Sequence, residues 1–318
     1  MHEGPSLGLH RFAVLTAGAT FVLLFVGGLV TSTGSGLAVP DWPLAFGQFF
    51  PAMVGGVLFE HGHRLAASTV GLLTLVLAGW IVLRDTRPGV RLLGLAALAA
   101  VILQGVLGGI TVLYKLPLAV SVTHACLAQA FFGLTITLAV LTGPTWTSGR
   151  TLGTDAGRPS LALLAGGTVA LVFGQILLGA LTRHMKAGLA IPDFPLAFGQ
   201  LVPPLVTPHI TVHFAHRVGA LVVATAVATL LVRVERHHRD VAALRRPIRL
   251  AAALVLLQIL LGGLTIWTSR AVVPTTTHLV VGAGILGSCL VLALRARRLL
   301  PRPHRAPATR AEPARAFA

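Results

Sequence analysis

Long runs of apolar residues alternate with short polar breaks along most of the chain. A helix needs about 20 mostly apolar residues to cross the hydrocarbon core of a bilayer, and the chain offers eight runs of about that length. They lie at residues 12–33, 63–83, 92–113, 119–141, 161–182, 213–232, 248–267 and 272–294. The pattern therefore predicts an all-α membrane protein with eight transmembrane helices.

Composition and charge support this prediction. Hydrophobic residues make up 55% of the 318 residues and charged residues 11%, less than half the share that is typical of soluble domains. The net charge of +16 would suit a nucleic-acid binder, but the basic residues concentrate on alternate loops. The other loops contain only Arg64, Lys115, Arg183, Lys186, Arg217 and Arg270. This asymmetry predicts cytoplasmic termini facing anionic lipid, and no nucleic-acid partner.

The chain contains a tandem repeat. The segment LAVPDWPLAFGQ from Leu37 recurs as LAIPDFPLAFGQ from Leu189. Each half has four predicted helices, and an even number gives both halves the same orientation, related by a pseudo-twofold axis along the membrane normal. We predict an N-terminal four-helix half at 1–150 and a C-terminal half at 151–300. Residues 301–318, rich in Pro, Arg and Ala, are predicted to form a disordered cytoplasmic tail.

Four histidines recur at equivalent positions, in the first turns of the even-numbered helices. They form two pairs, His63 with His124 and His216 with His278, all at the outer end of the predicted bundle. A polar side chain inside the membrane is costly, so it is a functional candidate by default. A hydrogen-bonded core histidine is the alternative, but two repeated pairs favour a ligand site.

Two imidazoles per half indicate heme. Zinc and copper sites usually recruit three or four protein ligands, whereas a porphyrin supplies four equatorial nitrogens and leaves two axial positions. A four-helix bundle with inward-facing side chains is a suitable container. We infer one heme between His63 and His124 and a second between His216 and His278.

Pairs of small residues occur near the outer ends of the odd-numbered helices, at the depth of the histidines. They are Gly27–Gly28, Gly108–Gly109, Gly179–Ala180 and Gly262–Gly263. Such pairs allow close helix packing, and they could also leave room for a flat macrocycle against the backbone.

The clearest difference between the halves precedes the first histidine of each pair. Glu60 stands three residues before His63, whereas His213 stands three residues before His216, and this spacing places both on the face of the ligand. Glu60 is therefore a candidate catalytic acid, base or electrostatic partner. The alternative is a solvated carboxylate ahead of the helix.

Two further charged pairs recur beside the histidines. Arg64 and Arg217 follow the first ligand of each pair, and either pair with heme propionates or extend toward the membrane interface. Asp41 and Asp193 lie in the repeated outer-loop segments, where they either position substrate or stabilise turns.

Several motifs together resemble heme A synthase. They are GSGL from Gly34, DWP from Asp41, EHGHR from Glu60, TH from Thr123, HR from His216 and TH from Thr277. The resemblance implies an oxidoreductase that converts the C8 methyl of heme O to a formyl group by successive hydroxylations, with water as oxygen source. It implies a role in supplying heme A to terminal cytochrome oxidases.

The resemblance also implies a division of labour between the halves. His216 and His278 would hold a resident heme B, and His63 and His124 would bind the substrate heme O beside Glu60. Many family members have a cysteine pair in the first outer loop, which residues 34–60 lack here. A mechanism that needs a loop disulfide is therefore doubtful for this chain.

The expected location is the bacterial cytoplasmic membrane. Expected partners are heme O, a heme O synthase and an electron acceptor, and a homo-oligomer is one arrangement that the sequence allows. The main alternative is a diheme b-type cytochrome that only transfers electrons, since it would use the same ligand pairs. All four ligands at one membrane face argue against transfer across the bilayer.

Overall fold

The computed structural model describes residues 7–155 and 157–301, and over these ranges it is helical without β-strands. The same ranges contain eight helices long and apolar enough to cross a membrane, which confirms the predicted fold class. These are α1 (Leu7–Ser32), α2 (Gly56–Arg84), α3 (Pro88–Leu113), α4 (Leu118–Thr142), α5 (Leu161–His184), α6 (Pro208–His237), α7 (Ala242–Trp267) and α8 (Val272–Leu299). The predicted tail, apart from Pro301, lies outside the described residues.

Several helices extend beyond the predicted spans. Helix α2 begins at Gly56 instead of residue 63, and α6 begins at Pro208 instead of residue 213. Hydropathy marks only the part of a helix that lies in hydrocarbon, whereas backbone hydrogen bonding continues through polar turns. The ligand histidines consequently lie about two turns inside their helices.

Contacts between helices fall into two groups. Within residues 7–142, α1 contacts α2 and α4, and α3 also contacts α2 and α4; α5 to α8 repeat this arrangement. Helix α8 also packs against α1 and α4, and α4 packs against α5. Because α8 contacts both groups, half of its most apolar 18-residue stretch is buried, the largest share among the eight helices. The pseudo-twofold axis and the domain boundaries stay predictions.

Each group has its own apolar core. Leu77, Ile81 and Leu138 are fully buried in the first, and Leu230 and Ile248 are almost completely buried in the second. Many leucines on the outer surface are exposed, including Leu83 and Leu256. Exposed apolar side chains over the length of a helix are suited to contact with lipid.

The loop between α1 and α2 and the loop between α5 and α6 fold alike; we call them the outer loops after the predicted topology. Ala45 pairs with Gln48 through two backbone hydrogen bonds of 2.9 and 3.0 Å, and Ala197 pairs with Gln200 at 2.8 and 3.1 Å. Each pair closes a tight turn. The sequence repeat is therefore also a repeat of local structure in these loops.

Candidate functional site

The first glycine of each small-residue pair contacts a ligand histidine on the next helix. A methyl group built on Gly27 would lie 3.0 Å from Cε1 of His63, and one on Gly179 would lie 3.0 Å from Cε1 of His216. At Gly108 and Gly262 the corresponding distances are 3.3 Å to His124 and 3.4 Å to His278. The glycines thus give each imidazole a place against the neighbouring backbone.

In α3 and α7 the second glycine of the pair lies against an aromatic ring. A methyl group on Gly109 would lie 2.6 Å from the Trp42 ring, and one on Gly263 would lie 3.0 Å from the Phe194 ring. Both aromatic residues belong to the repeated outer loops. The space opened by α3 and α7 therefore receives a loop side chain as well as a histidine, which the sequence pattern had not indicated.

In the C-terminal half the two histidines of the predicted pair lie face to edge. The ring centroids of His216 and His278 are 6.3 Å apart with an interplanar angle of 69°. The rings of His63 and His124 lie against Gly27 and Gly108, and their pairing across a heme stays a prediction. Nδ1 of His63 and Nδ1 of His124 are buried, so these rings lie inside the helix bundle.

The residues fit a bis-imidazole heme site. With a metal–nitrogen bond of about 2.0 Å and about 1.1 Å from each nitrogen to its ring centroid, two axial imidazoles place their centroids about 6.2 Å apart. The spacing of His216 and His278 agrees with this value. Nδ1 of His63 and Nδ1 of His124 are buried without hydrogen-bond partners. In the described part of the chain, no three His, Cys, Asp or Glu side chains gather to hold a bare metal ion.

Glutamines orient the C-terminal pair. The Gln175 amide nitrogen lies 3.0 Å from Nδ1 of His216, and the Gln258 backbone oxygen lies 3.2 Å from Nδ1 of His278. A ring N–H that donates to a carbonyl oxygen, as His278 can to Gln258, fixes ring orientation in metal sites, and the Gln175 amide lies against the His216 ring. Gln175 escaped the sequence analysis, although it is a polar amide in the middle of an apolar helix where the repeat has Leu23.

Gln104 is the N-terminal counterpart of Gln258. Its amide donates to the backbone oxygen of His124 at 2.9 Å. Neither ring of that pair has a side-chain hydrogen bond in the described structure. The N-terminal imidazoles are therefore held by packing alone, in contrast to the C-terminal imidazoles.

Arg64 and Arg217 hold the outer loops against α2 and α6 by hydrogen bonds to loop carbonyls, and we call each set of contacts a loop clamp. Arg64 donates to the backbone oxygens of Asp41, Leu44 and Val39 at 2.8, 2.9 and 3.3 Å. Arg217 donates to the equivalent oxygens of Asp193, Leu196 and Ile191. The sequence did not indicate this loop contact. Pairing with heme propionates stays a prediction, and most N–H groups of both guanidinium groups already have partners.

Glu60 and His213 complete these clamps. Glu60 is 4% exposed and accepts from the Val39 backbone N–H at 2.8 Å and from Arg64 at 2.7 Å. His213 is 5% exposed and accepts from the Ile191 backbone N–H at 3.3 Å. The solvated alternative for Glu60 is therefore wrong, and its catalytic role stays a prediction.

Asp41 and Asp193 stabilise the loop turns. Asp41 accepts from the backbone N–H groups of Phe46 and Gly47, both at 2.8 Å, and Asp193 accepts from the equivalent N–H groups of Phe198 and Gly199 at 2.7 and 2.8 Å. Hydrogen bonds from Gly47 and Phe46 hold the pKa of Asp41 below its usual value. Positioning of substrate by either carboxylate stays a prediction.

The outer end of α5 joins the two halves. Arg183 donates to the backbone oxygen of Gly28 at 3.0 Å and to Oγ of Ser32 at 2.8 Å, and Thr276 also donates to that hydroxyl. These contacts bring the C-terminal half against the C-terminal end of α1, next to the glycine that contacts His63.

The fold and these sites define a multi-pass membrane protein with two intramembrane histidine pairs suited to heme. The sequence profile of the cytochrome oxidase assembly protein family, COX15-CtaA, matches residues 10–290. The chain belongs to this family.

Relatives agree over most of the length. The heme A synthase of Symbiobacterium thermophilum is 32% identical over 260 residues, which cover 79% of this chain and 84% of the relative. The heme A synthase of Geobacillus kaustophilus is 29% identical over 303 residues, covering 91% and 93%. That of Alkalihalophilus pseudofirmus is 27% identical over 279 residues, covering 86% and 92%.

Proposed function

We propose that this chain is an oxidoreductase that converts heme O to heme A. The observation that carries the proposal is the two histidine pairs, each ring placed against a glycine, in a chain similar to heme A synthases. Oxidation of the C8 methyl to a formyl group by successive hydroxylations takes its oxygen from one water. It releases four protons and four electrons, so an electron acceptor is required.

The halves differ in a way that suits a resident group and an exchanging substrate. His216 and His278, oriented by Gln175 and Gln258, would hold heme B. Heme B, when bound there, supplies a one-electron redox centre. His63 and His124 would bind heme O. Their rings lack orienting hydrogen bonds in the described structure, and weaker orientation favours release of the product.

Glu60 is proposed to accept a proton released during oxidation. Its carboxylate is buried about one turn from the N-terminal end of α2 and one turn before His63, and its two described hydrogen bonds leave acceptor capacity unused. Glu60→Gln keeps an acceptor for the Val39 N–H but removes the base. We expect retained heme binding and at least tenfold slower turnover; unchanged turnover would contradict the role.

The remaining assignments follow from the charge pattern and the family. We propose a location in the bacterial cytoplasmic membrane with both termini cytoplasmic, so that the histidine pairs lie near the outer face. A heme O synthase would supply the substrate. The two halves, 1–150 and 151–300, would act as substrate and cofactor units.

The test is expression with and without a heme O synthase, followed by extraction and chromatography of the pigments. We expect the alcohol and formyl hemes only when heme O is supplied. His63→Ala should abolish them while heme B is retained, and His216→Ala should remove heme B. The control is His209→Ala, an exposed histidine outside both pairs. Bound heme with no conversion of heme O would instead support the diheme cytochrome.

A further inference from the structure

A groove with a cavity volume of about 350 Å³ opens between α4, α7 and α8, far from the histidine pairs. Its apolar wall includes Phe132, Ile136, Leu250 and Val291. Arg246 and Arg295 lie in the same lining, near the start of α7 and the end of α8. Both arginines therefore lie at the end of the bundle where the basic residues concentrate.

The two arginines have no counterion in the described structure. They line the same groove, and neither is among the ion pairs of the described residues. Nearby arginines do have carboxylate partners: Arg233 pairs with Asp155, and Arg249 with Glu235. Arg246 is exposed and Arg295 is partly buried, so an anion bound between these two like charges would be favourable.

Arg295 is partly fixed by the helix beside it. Pro247 has no backbone N–H, so the Ala243 carbonyl lacks its usual partner in α7. Arg295 donates to this oxygen from Nη1 at 3.0 Å. One hydrogen bond holds the guanidinium at the groove and leaves most of its donors for an anion.

The repeat shows that the fold does not require these charges. At the offset that relates Thr123 to Thr277, the N-terminal half has Leu92 in place of Arg246 and Leu141 in place of Arg295. Leucines are thus compatible with the same helix positions where Leu93 replaces Pro247. In the described part of the C-terminal half, Arg295 compensates for the proline with one hydrogen bond, and the remaining donors and Arg246 are free for a ligand.

We propose that this groove binds an anionic phospholipid, with one acyl chain along the apolar wall and the headgroup phosphate between Arg246 and Arg295. Guanidinium groups match phosphate oxygens bidentately. Basic pockets between helices on the cytoplasmic side are suited to anionic headgroups. A groove open to the lipid at the level of the basic residues meets both conditions.

The test is native mass spectrometry of the purified full chain, titrated with dioleoyl phosphatidylglycerol or dioleoyl phosphatidylcholine. We expect tighter binding of phosphatidylglycerol. Arg246→Gln with Arg295→Gln should weaken it by roughly 20- to 30-fold, since each basic residue near an anionic headgroup contributes about a factor of five. The control, Arg239→Gln with Arg297→Gln, removes two exposed charges at the same end and should change little.

Two further measurements distinguish lipid binding from binding of a simple anion and from a folding defect of the variants. Val291→Phe narrows the groove without changing charge and should also weaken phosphatidylglycerol binding. Inorganic phosphate should not compete at equal concentration. The proposal would be overturned if both lipids bound equally or if the two double variants lost the same affinity. It would also be overturned if phosphate competed or if Val291→Phe bound phosphatidylglycerol unchanged.

Discussion

The duplicated loop clamps allow a matched comparison of Arg64→Ala with Arg217→Ala. Each arginine donates to three equivalent backbone oxygens of its own loop. The difference lies in the fourth partner, which is the Glu60 carboxylate for Arg64 and the His213 ring for Arg217 at 3.4 Å. Loss of the loop contacts is common to both variants, so their difference isolates the ion pair.

The free-energy cost of each substitution follows from the number of lost hydrogen bonds and from the burial of the ion pair. Three lost hydrogen bonds at about 1 kcal/mol each give both variants a common cost of about 3 kcal/mol. Removal of one partner of a buried ion pair costs about 3–5 kcal/mol. The Arg64 and Glu60 side chains are 14% and 5% exposed, so some solvation remains and the added cost falls to about 2 kcal/mol. The first outer loop in Arg64→Ala should therefore open about 30 times more often than the second outer loop in Arg217→Ala.

Hydrogen exchange measures this opening directly. The Val39 and Ile191 N–H groups donate to Glu60 and His213, so their protection reports the clamps. We expect protection of Val39 in Arg64→Ala to fall about 30-fold further than that of Ile191 in Arg217→Ala.

A double variant gives the control. Arg64→Met with Glu60→Gln removes both charges and should abolish the excess opening, because no buried charge is left alone. Equal losses of protection at the two loops, or the larger loss at the second loop, would refute the argument.

Three shorter predictions concern the histidine sites and the loop turns. Gly179→Ala should lower the retention of resident heme, because its methyl group would lie 3.0 Å from the α6 ligand, whereas Gly174→Ala meets nothing within 4 Å; heme content per protein after purification measures both. Gln175→Leu should broaden or shift the heme absorption bands by freeing the ligand ring, and unchanged spectra would exclude an orienting role. Hydrogen bonds to the backbone lower the pKa of Asp41 and Asp193, so their stabilisation of the turns is present above about pH 4 and is lost as pH falls through the lowered pKa. Pepsin cleavage of the loops should therefore increase at acidic pH in the wild type, and Asp41→Asn should remove this pH dependence from the first loop.

The sequence alone determined the number of helices, the repeat and the histidine pairs. Transmembrane helices are recognisable because length and hydropathy are local properties, fixed by the thickness of the bilayer. The pairing of His63 with His124 and of His216 with His278 followed from the repeat and from the shared depth of all four residues. Helix ends were less well predicted, since polar turns such as those before His63 remain helical outside the hydrocarbon.

Only the tertiary structure decided which neighbour each polar side chain meets. The sequence placed Arg64 beside a ligand, but the fold of the outer loop turned its guanidinium toward loop carbonyls. It offered Glu60 as a solvated or catalytic carboxylate, and the structure buried it under Val39. Gln175 gained its contact with His216 from the packing of α5 against α6. Such partners depend on distances between segments far apart in sequence, which no local pattern contains.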